Sequence, residues 1–216
     1  NFSSGCLTKT GVAFFGEGKL YFGCIDESDL TQVETMKTGF TPYLLELNEN
    51  PPALFTAHYN DGKCGLTALS IPHLVNLLAM EMEENEEINC ILPLPKLSLM
   101  AVGTSGVKNG RLIIINYAFG EFNPVAQFDV DNGIYALTEY KDIVIAGGQC
   151  RLFTFKITVS PAGAVTIKQT CTIKAPVRSR ALVVAGDTIV HFDSMRSITT
   201  FKLNDDCILE SPTNFI

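Results

Sequence analysis

The side chains in this sequence that could hold a metal or attack a carbonyl are few and scattered. His58, His73 and His191 stand alone, with no Cys-x-x-Cys or His-Glu-x-x-His spacing around them, so a zinc site has no clustered ligands to start from. The seven cysteines, at 6, 24, 64, 90, 150, 171 and 207, are odd in number and widely spread. They read as reduced core thiols of a nuclear or cytoplasmic protein rather than as a disulfide framework. No Gly-x-Ser-x-Gly elbow activates a serine. The glycine-rich run GTSGVKNG (103–110) lacks the Gly-Lys-Ser/Thr ending of a phosphate loop and leads into an aliphatic strand, so it reads as a long hairpin turn. His191 sits inside an apolar run and reads as a core histidine. The many carboxylates offer no distinguished acid–base pair. No cofactor and no catalysis are expected, and the search turns to what kind of scaffold these residues decorate.

The stretch DTIVHFDSMRSITTFKL (187–203) carries apolar runs on both sides of a short polar break, the pattern of two strands joined by a tight reversal. DIVIAGGQCRLFTFKI (142–157) repeats the layout 45 residues earlier, down to the arginine after the break and a strand ending Phe-Lys. LSLMAVGTSGVKNGRLIIINY (97–117), ALFTAHYNDGKCGLTALSI (53–71) and GVAFFGEGKLYFGCI (11–25) are in step. A period of about 45 residues, built of short strands with almost no helical periodicity, is that of a four-stranded propeller blade. One such sheet cannot bury both of its faces, whereas neighbouring blades cover each other. The expected fold is therefore all-β, an incomplete β-propeller of about four to five WD40-like blades of four antiparallel strands, with a sandwich or barrel as the rival. The recurring Arg111, Arg151 and Arg196 have two readings: a pairing internal to the repeat, such as with an aspartate of the next turn, or contact with a partner.

Hydrophobic residues make up 46% of the 216, enough for a sizeable core. The net charge of −7 disfavours general attraction to nucleic acid. No run approaches the roughly 18 apolar residues of a membrane helix, so no membrane association is expected. EMEENEEINC (81–90) reads as a solvated loop or short helical turn between blades, with an acidic rim facing a basic partner as the sharper alternative. The chain lacks an initiating methionine and stops without a capping element, so residues 1–216 are expected to be one partial propeller from a longer multi-propeller protein.

The run VGTSGVKNGRLIIINYAFGEFNPVAQFDVDNGIYALTEYKDIVIAGGQCRLFTF (102–155), together with KLYFGCIDESDLTQVETMKTG (19–39), resembles the third propeller of a superfamily of nuclear scaffolds. That superfamily contains DNA damage-binding protein 1, the large cleavage and polyadenylation specificity factor subunit and the large propeller subunit of splicing factor 3b. DSMRS (193–197) is similar to an Asp-Leu-Met-Arg-Ser turn of the first branch. The resemblance implies a non-catalytic adaptor in DNA repair and protein ubiquitination, recruiting WD-repeat substrate receptors to a cullin-4 type ligase, in the nucleus and also the cytoplasm. Nucleic-acid association would then be indirect, through the complex. The alternative it leaves open is a pre-mRNA 3′-end processing or splicing scaffold that binds RNA-associated proteins. By the same resemblance, Arg196 matches a receptor-contacting arginine, and Ser194 stands where the family has a leucine in that contact. Leu182 and Val183 match a Leu-Tyr pair on the neighbouring strand, and Glu86 matches an acidic contact residue.

Overall fold

The computed structural model describes residues 2–7, 11–16, 19–25, 30–71, 73–118, 122–175, 177–195, 198–204 and 209–215. Among these, the strands fall into five four-stranded antiparallel sheets, with one 3-10 turn at Pro95–Leu97 and no helix long and apolar enough to cross a membrane. Blade 1 comprises β1 (Phe2–Leu7), β2 (Gly11–Gly16), β3 (Lys19–Ile25) and β4 (Leu30–Lys37). Blade 2 comprises β5 (Thr41–Glu49), β6 (Pro52–Asn60), β7 (Lys63–Ser70) and β8 (Asn76–Glu81). Blade 3 comprises β9 (Glu87–Leu94), β10 (Leu99–Ser105), β11 (Asn109–Asn116) and β12 (Asn123–Asp131). Blade 4 comprises β13 (Ile134–Tyr140), β14 (Ile143–Gly148), β15 (Arg151–Val159) and β16 (Val165–Lys174), and blade 5 comprises β17 (Ser179–Ala185), β18 (Thr188–Asp193), β19 (Ile198–Leu203) and β20 (Leu209–Phe215).

Each sheet is a sequential meander, so the chain forms five separate blades instead of the two layers of a sandwich or the single sheet of a barrel. The fold is an incomplete β-propeller at the upper end of the expected blade number. All five hairpins picked out by the repeat are the second and third strands of a blade. The physical reason is visible in β14, where every residue is buried. Val144 and Ala146 pack toward blade 3 with Phe153 and Phe155, while Ile143 and Ile145 pack toward blade 5 with Leu182, Ile189 and Phe201. A strand covered on both faces must be apolar throughout, and each such Val, Ile, Leu or Phe side chain contributes about 1.5–3 kcal/mol of burial.

The chain divides into two compact units, Asn1–Ile88 with Tyr117–Asn123, and Asn89–Asn116 with Pro124–Ile216. In the first, Ala13, Phe15, Leu20 and Phe22 of blade 1 meet Leu45, Leu47, Leu54 and Leu69 of blade 2. Phe122 lies 5.9 Å from Phe55 and 6.4 Å from Tyr117, ring centre to ring centre. The β6–β7 reversal is a two-residue turn, Asp61–Gly62, with φ of 48° and 79°, the left-handed pair that matches strand twist in a hairpin. In the second unit, β10 packs on β13 and β13 on β17.

Several sequence expectations change in detail. The 103–110 run is mostly strand, and its turn is short, closed by Gly106 N–H donating to Asn109 O at 2.7 Å. Of the acidic segment, only residues 82–86 form the β8–β9 loop, with Met82 and Glu86 buried in it, while Glu81 ends β8 and Glu87–Cys90 begin β9. The cysteines divide: Cys64 and Cys90 are enclosed, Cys90 with its thiol pKa raised by burial, whereas Cys150 is exposed in the β14–β15 turn. Cys64, Cys90, Cys150 and Cys171 are unpaired thiols.

Candidate partner-docking surface on the last blade

Blade 5 resembles blade 1, and differs from blades 2 to 4, in how its middle strands are covered. β18 alternates between buried and half-buried positions and β19 between buried and half-buried or exposed ones, so one face is packed more fully than the other. Leu182, Ile189, Phe201, Leu203 and Leu209 lie on the packed face against blade 4. On the other face, register aligns Val183 with Val190 and Ala181 with Phe192, and Phe192 in turn with Ile198. Val183 is 48% exposed and Ile198 39%, and Met195 at the end of this apolar stripe is 71% exposed.

The turn after β18 is built by its own backbone donors. Asp193 Oδ1 accepts the Met195 N–H at 2.7 Å, and the Ser194 N–H donates to Arg178 O at 2.9 Å. The Arg178 guanidinium lies 4.0 Å over the Tyr135 ring of blade 4, a cation–π contact that ties the turn's support to the neighbouring blade. Ser194 is exposed at the tip.

These positions sort the residues singled out by the family resemblance. Ser194 and Val183 are accessible. Leu182 is not: at 8% exposure it belongs to the core between blades 4 and 5. The expectation that Leu182 and Val183 act as a contact pair is therefore corrected, because consecutive residues of a strand face opposite sides. Glu86 is 7% exposed, lies in the other compact unit, and accepts the Glu83 N–H at 3.2 Å within its own loop. It is not a free rim carboxylate. Arg196 lies outside the described residues. Val183 and the turn are also well separated: Ser179 pairs with Asp193 and Val183 with Val190, about 13 Å apart along β17.

The repeated cations have partners within the propeller. Arg151 Nη1 lies 3.4 Å from Asp131 at the end of β12, and Arg111 Nη1 donates to Gln127 Oε1 on β12 at 3.2 Å. The carboxylate comes from the preceding strand end rather than from the next turn. Lys63 likewise begins the third strand of its blade, β7, and meets Glu81 at the end of β8 at 3.3 Å. Exposed pairs of this kind are worth about 0–1 kcal/mol each. Val144 pairs with Phe155 and Ile189 with Phe201, so the second strands are offset by 45 and the third by 46, and the strict repeat slips by one in the turn.

Sequence reasoning missed Phe192 and Ile198. At the matching register positions of blades 3 and 4 stand Gly103 and Gly147, paired with Leu112 and Leu152 as Phe192 is with Ile198. A Cβ on Gly103 would come 2.6 Å from Ile134 Cγ2, and one on Gly147 would come 2.5 Å from Ser179 Cβ. The first strand of the following blade thus lies directly on these glycines. Blade 5 carries an aromatic ring instead.

Burial dominates the electrostatics. His191 (0% exposed) sits with Nε2 2.9 Å from Ser179 Oγ, and His58 (9%) with Nε2 2.9 Å from Thr67 Oγ1. Burial lowers the pKa of both below 6.5, with the Asp193 charge partly opposing this at His191. Burial also raises Glu46 on β5 from 4.5 to about 7. The folded state therefore favours its protonated form, a contribution present below pH 4.5 and lost as pH rises through about 7. Glu46→Gln is expected to stabilise the chain at pH 8 and to leave it unchanged at pH 4.5, measured by urea denaturation at the two pH values.

A cleft of about 490 Å3 opens beside His58, lined by Met36, Phe40, Leu74 and Met80. It lies between the outer strands of blades 1 and 2, where radially arranged sheets diverge. Among the described residues no group of three or more His, Cys, Asp or Glu is placed to hold a metal. Comparison of the sequence with protein-family models and with curated proteins finds no match to either.

Proposed function

We propose that this chain is a non-catalytic propeller scaffold of the kind exemplified by DNA damage-binding protein 1, and that its last blade recruits WD-repeat substrate receptors to a cullin-4 type ubiquitin ligase. The observation that carries the reading is the one-sided packing of blade 5. Its inner face is closed by blade 4, while Val183, Phe192 and Ile198 form an apolar stripe that leads to the exposed Ser194–Met195 tip. Apolar stripes bordered by polar turns are typical of protein-binding surfaces. The DSMRS motif supplies the arginine. An arginine beside exposed aliphatic surface can lay its stem on the sheet and offer five donors to a partner's carboxylates or carbonyls. Val183 and Ser194 are smaller than the residues at the corresponding family positions, so this chain makes a reduced version of that contact.

The test is capture of receptors from nuclear extract by the tagged chain, followed by identification of what co-purifies. Cullin-4 and WD-repeat receptors are the expected catch, and Arg196→Glu is expected to reduce it about tenfold without shifting the melting temperature. Equal capture by both forms removes Arg196 from the surface. Recovery of endonuclease or spliceosomal subunits instead would assign the chain to RNA processing.

A further inference from the structure

Ser179, His191 and Asp193 form a buried polar cluster on the packed face of blade 5, with exposures of 1%, 0% and 6%. Their types are those of an acyl-transfer triad, yet the serine is walled in. A Cβ on Gly147 would stand 2.4 Å from Ser179 Oγ, so the hydroxyl is pressed against blade 4 with no space for a carbonyl beside it. The cluster has a different outlet.

Ser179 reaches this face because of a register shift between Ser179 and Ala181. Ala181 pairs with Phe192 on the open face, and two residues back along a regular strand Ser179 would point the same way. The extra residue turns it inward, opposite Asp193 and within 2.9 Å of His191 Nε2. Asp193 then begins the exposed turn, holding the Met195 N–H with Oδ1, while Arg178, next to Ser179, receives the Ser194 N–H on its carbonyl. Both backbone anchors of the tip therefore start one residue or less from the cluster.

We propose that Ser179 and His191 are positioning residues for the Ser194–Met195 tip, fixing through the bulge and Asp193 the geometry in which that tip meets a partner. The partner clause rests on the function proposed above; the positioning does not. Ser179 touches blade 4 at Gly147, so the tip is set by the contact between blades 4 and 5 and not by the turn sequence alone. A buried hydroxyl–imidazole pair suits this role because its directional bond selects one register where apolar packing tolerates several.

The experiment compares the full chain with Ser179→Ala and Ser179→Cys by amide hydrogen exchange, alongside capture of a WD-repeat receptor. Alanine shrinks the side chain and abolishes the hydrogen bond, whereas cysteine enlarges it and weakens the bond, so an effect common to both follows the bond and not the volume. Both variants are expected to exchange the Ser194 and Met195 amides at least tenfold faster, with Ile145 and Phe155 unchanged, and to capture less receptor. Unchanged exchange at the tip overturns the inference. So does an equal rise throughout β17 to β19, because the cluster would then only stabilise the blade. A rise confined to the tip, in a chain whose unmodified form captures no receptor, supports the positioning and overturns the proposed function.

Discussion

Phe155→Ala is expected to cost about 3–5 kcal/mol of stability, the largest loss from any single truncation considered for this chain. Phe155 is fully buried on β15, with its ring 5.3 Å edge-on to Phe128 and 6.1 Å from Phe153. It lies in the layer shared by blades 3 and 4, among Leu112, Ile114, Val144 and Ile157. Strands pinned on both sides cannot collapse into the space a lost ring leaves, so the cavity persists and its lining forfeits its contacts. Urea denaturation measures the loss. Val159→Ala, at the exposed end of the same strand (42% exposed), should change stability by less than about 0.5 kcal/mol. A Phe155→Ala loss below about 1 kcal/mol would mean that these two sheets are not closely packed on each other.

Acidification should destabilise the chain through His58 and His191, and Glu46 should partly hide it. Both imidazoles have folded pKa values depressed by burial, so their contribution is fully present above pH 6.5 and falls as pH drops through the folded values. Each can contribute a slope of up to about 1.4 kcal/mol per pH unit, and the two together about 2.7. Glu46 works in the opposite direction between pH 7 and 4.5, gaining stability as it takes up its proton. The natural chain should therefore show a shallow decline from pH 7 to 5, and Glu46→Gln a steeper one. Identical slopes in the two proteins would mean that Glu46 titrates as an exposed carboxylate. A flat profile in the Glu46→Gln chain would mean that neither histidine stays neutral.

The legible part of this sequence is the part whose burial is two-sided. β14 reads as an unbroken apolar run because blades 3 and 5 cover its two faces, and β6, β7 and β10 are buried over most of their length. The outer strands β8, β12 and β16 did not stand out, since their exposed faces are filled with polar residues and resemble loops. Within the candidate site, the failure at Leu182 was avoidable from period-two geometry alone. The Ser179–His191 pair was not avoidable. Ser179 reaches His191 only because a bulge reverses its direction, and a bulge of one extra residue leaves no mark in composition or spacing. The one-residue difference between the 45-residue offset of β14 and β18 and the 46-residue offset of β15 and β19 is equally invisible to a repeat aligned by sequence.

The ring of Phe192, standing where two earlier sheets present bare backbone, sets a rule of shape for anything that lies on the last blade. A flat strand laid there would ride on the aromatic edge and leave empty wedges to either side. Only a hollowed counterpart, with a socket deep enough for a phenyl group, can make unbroken contact with this surface.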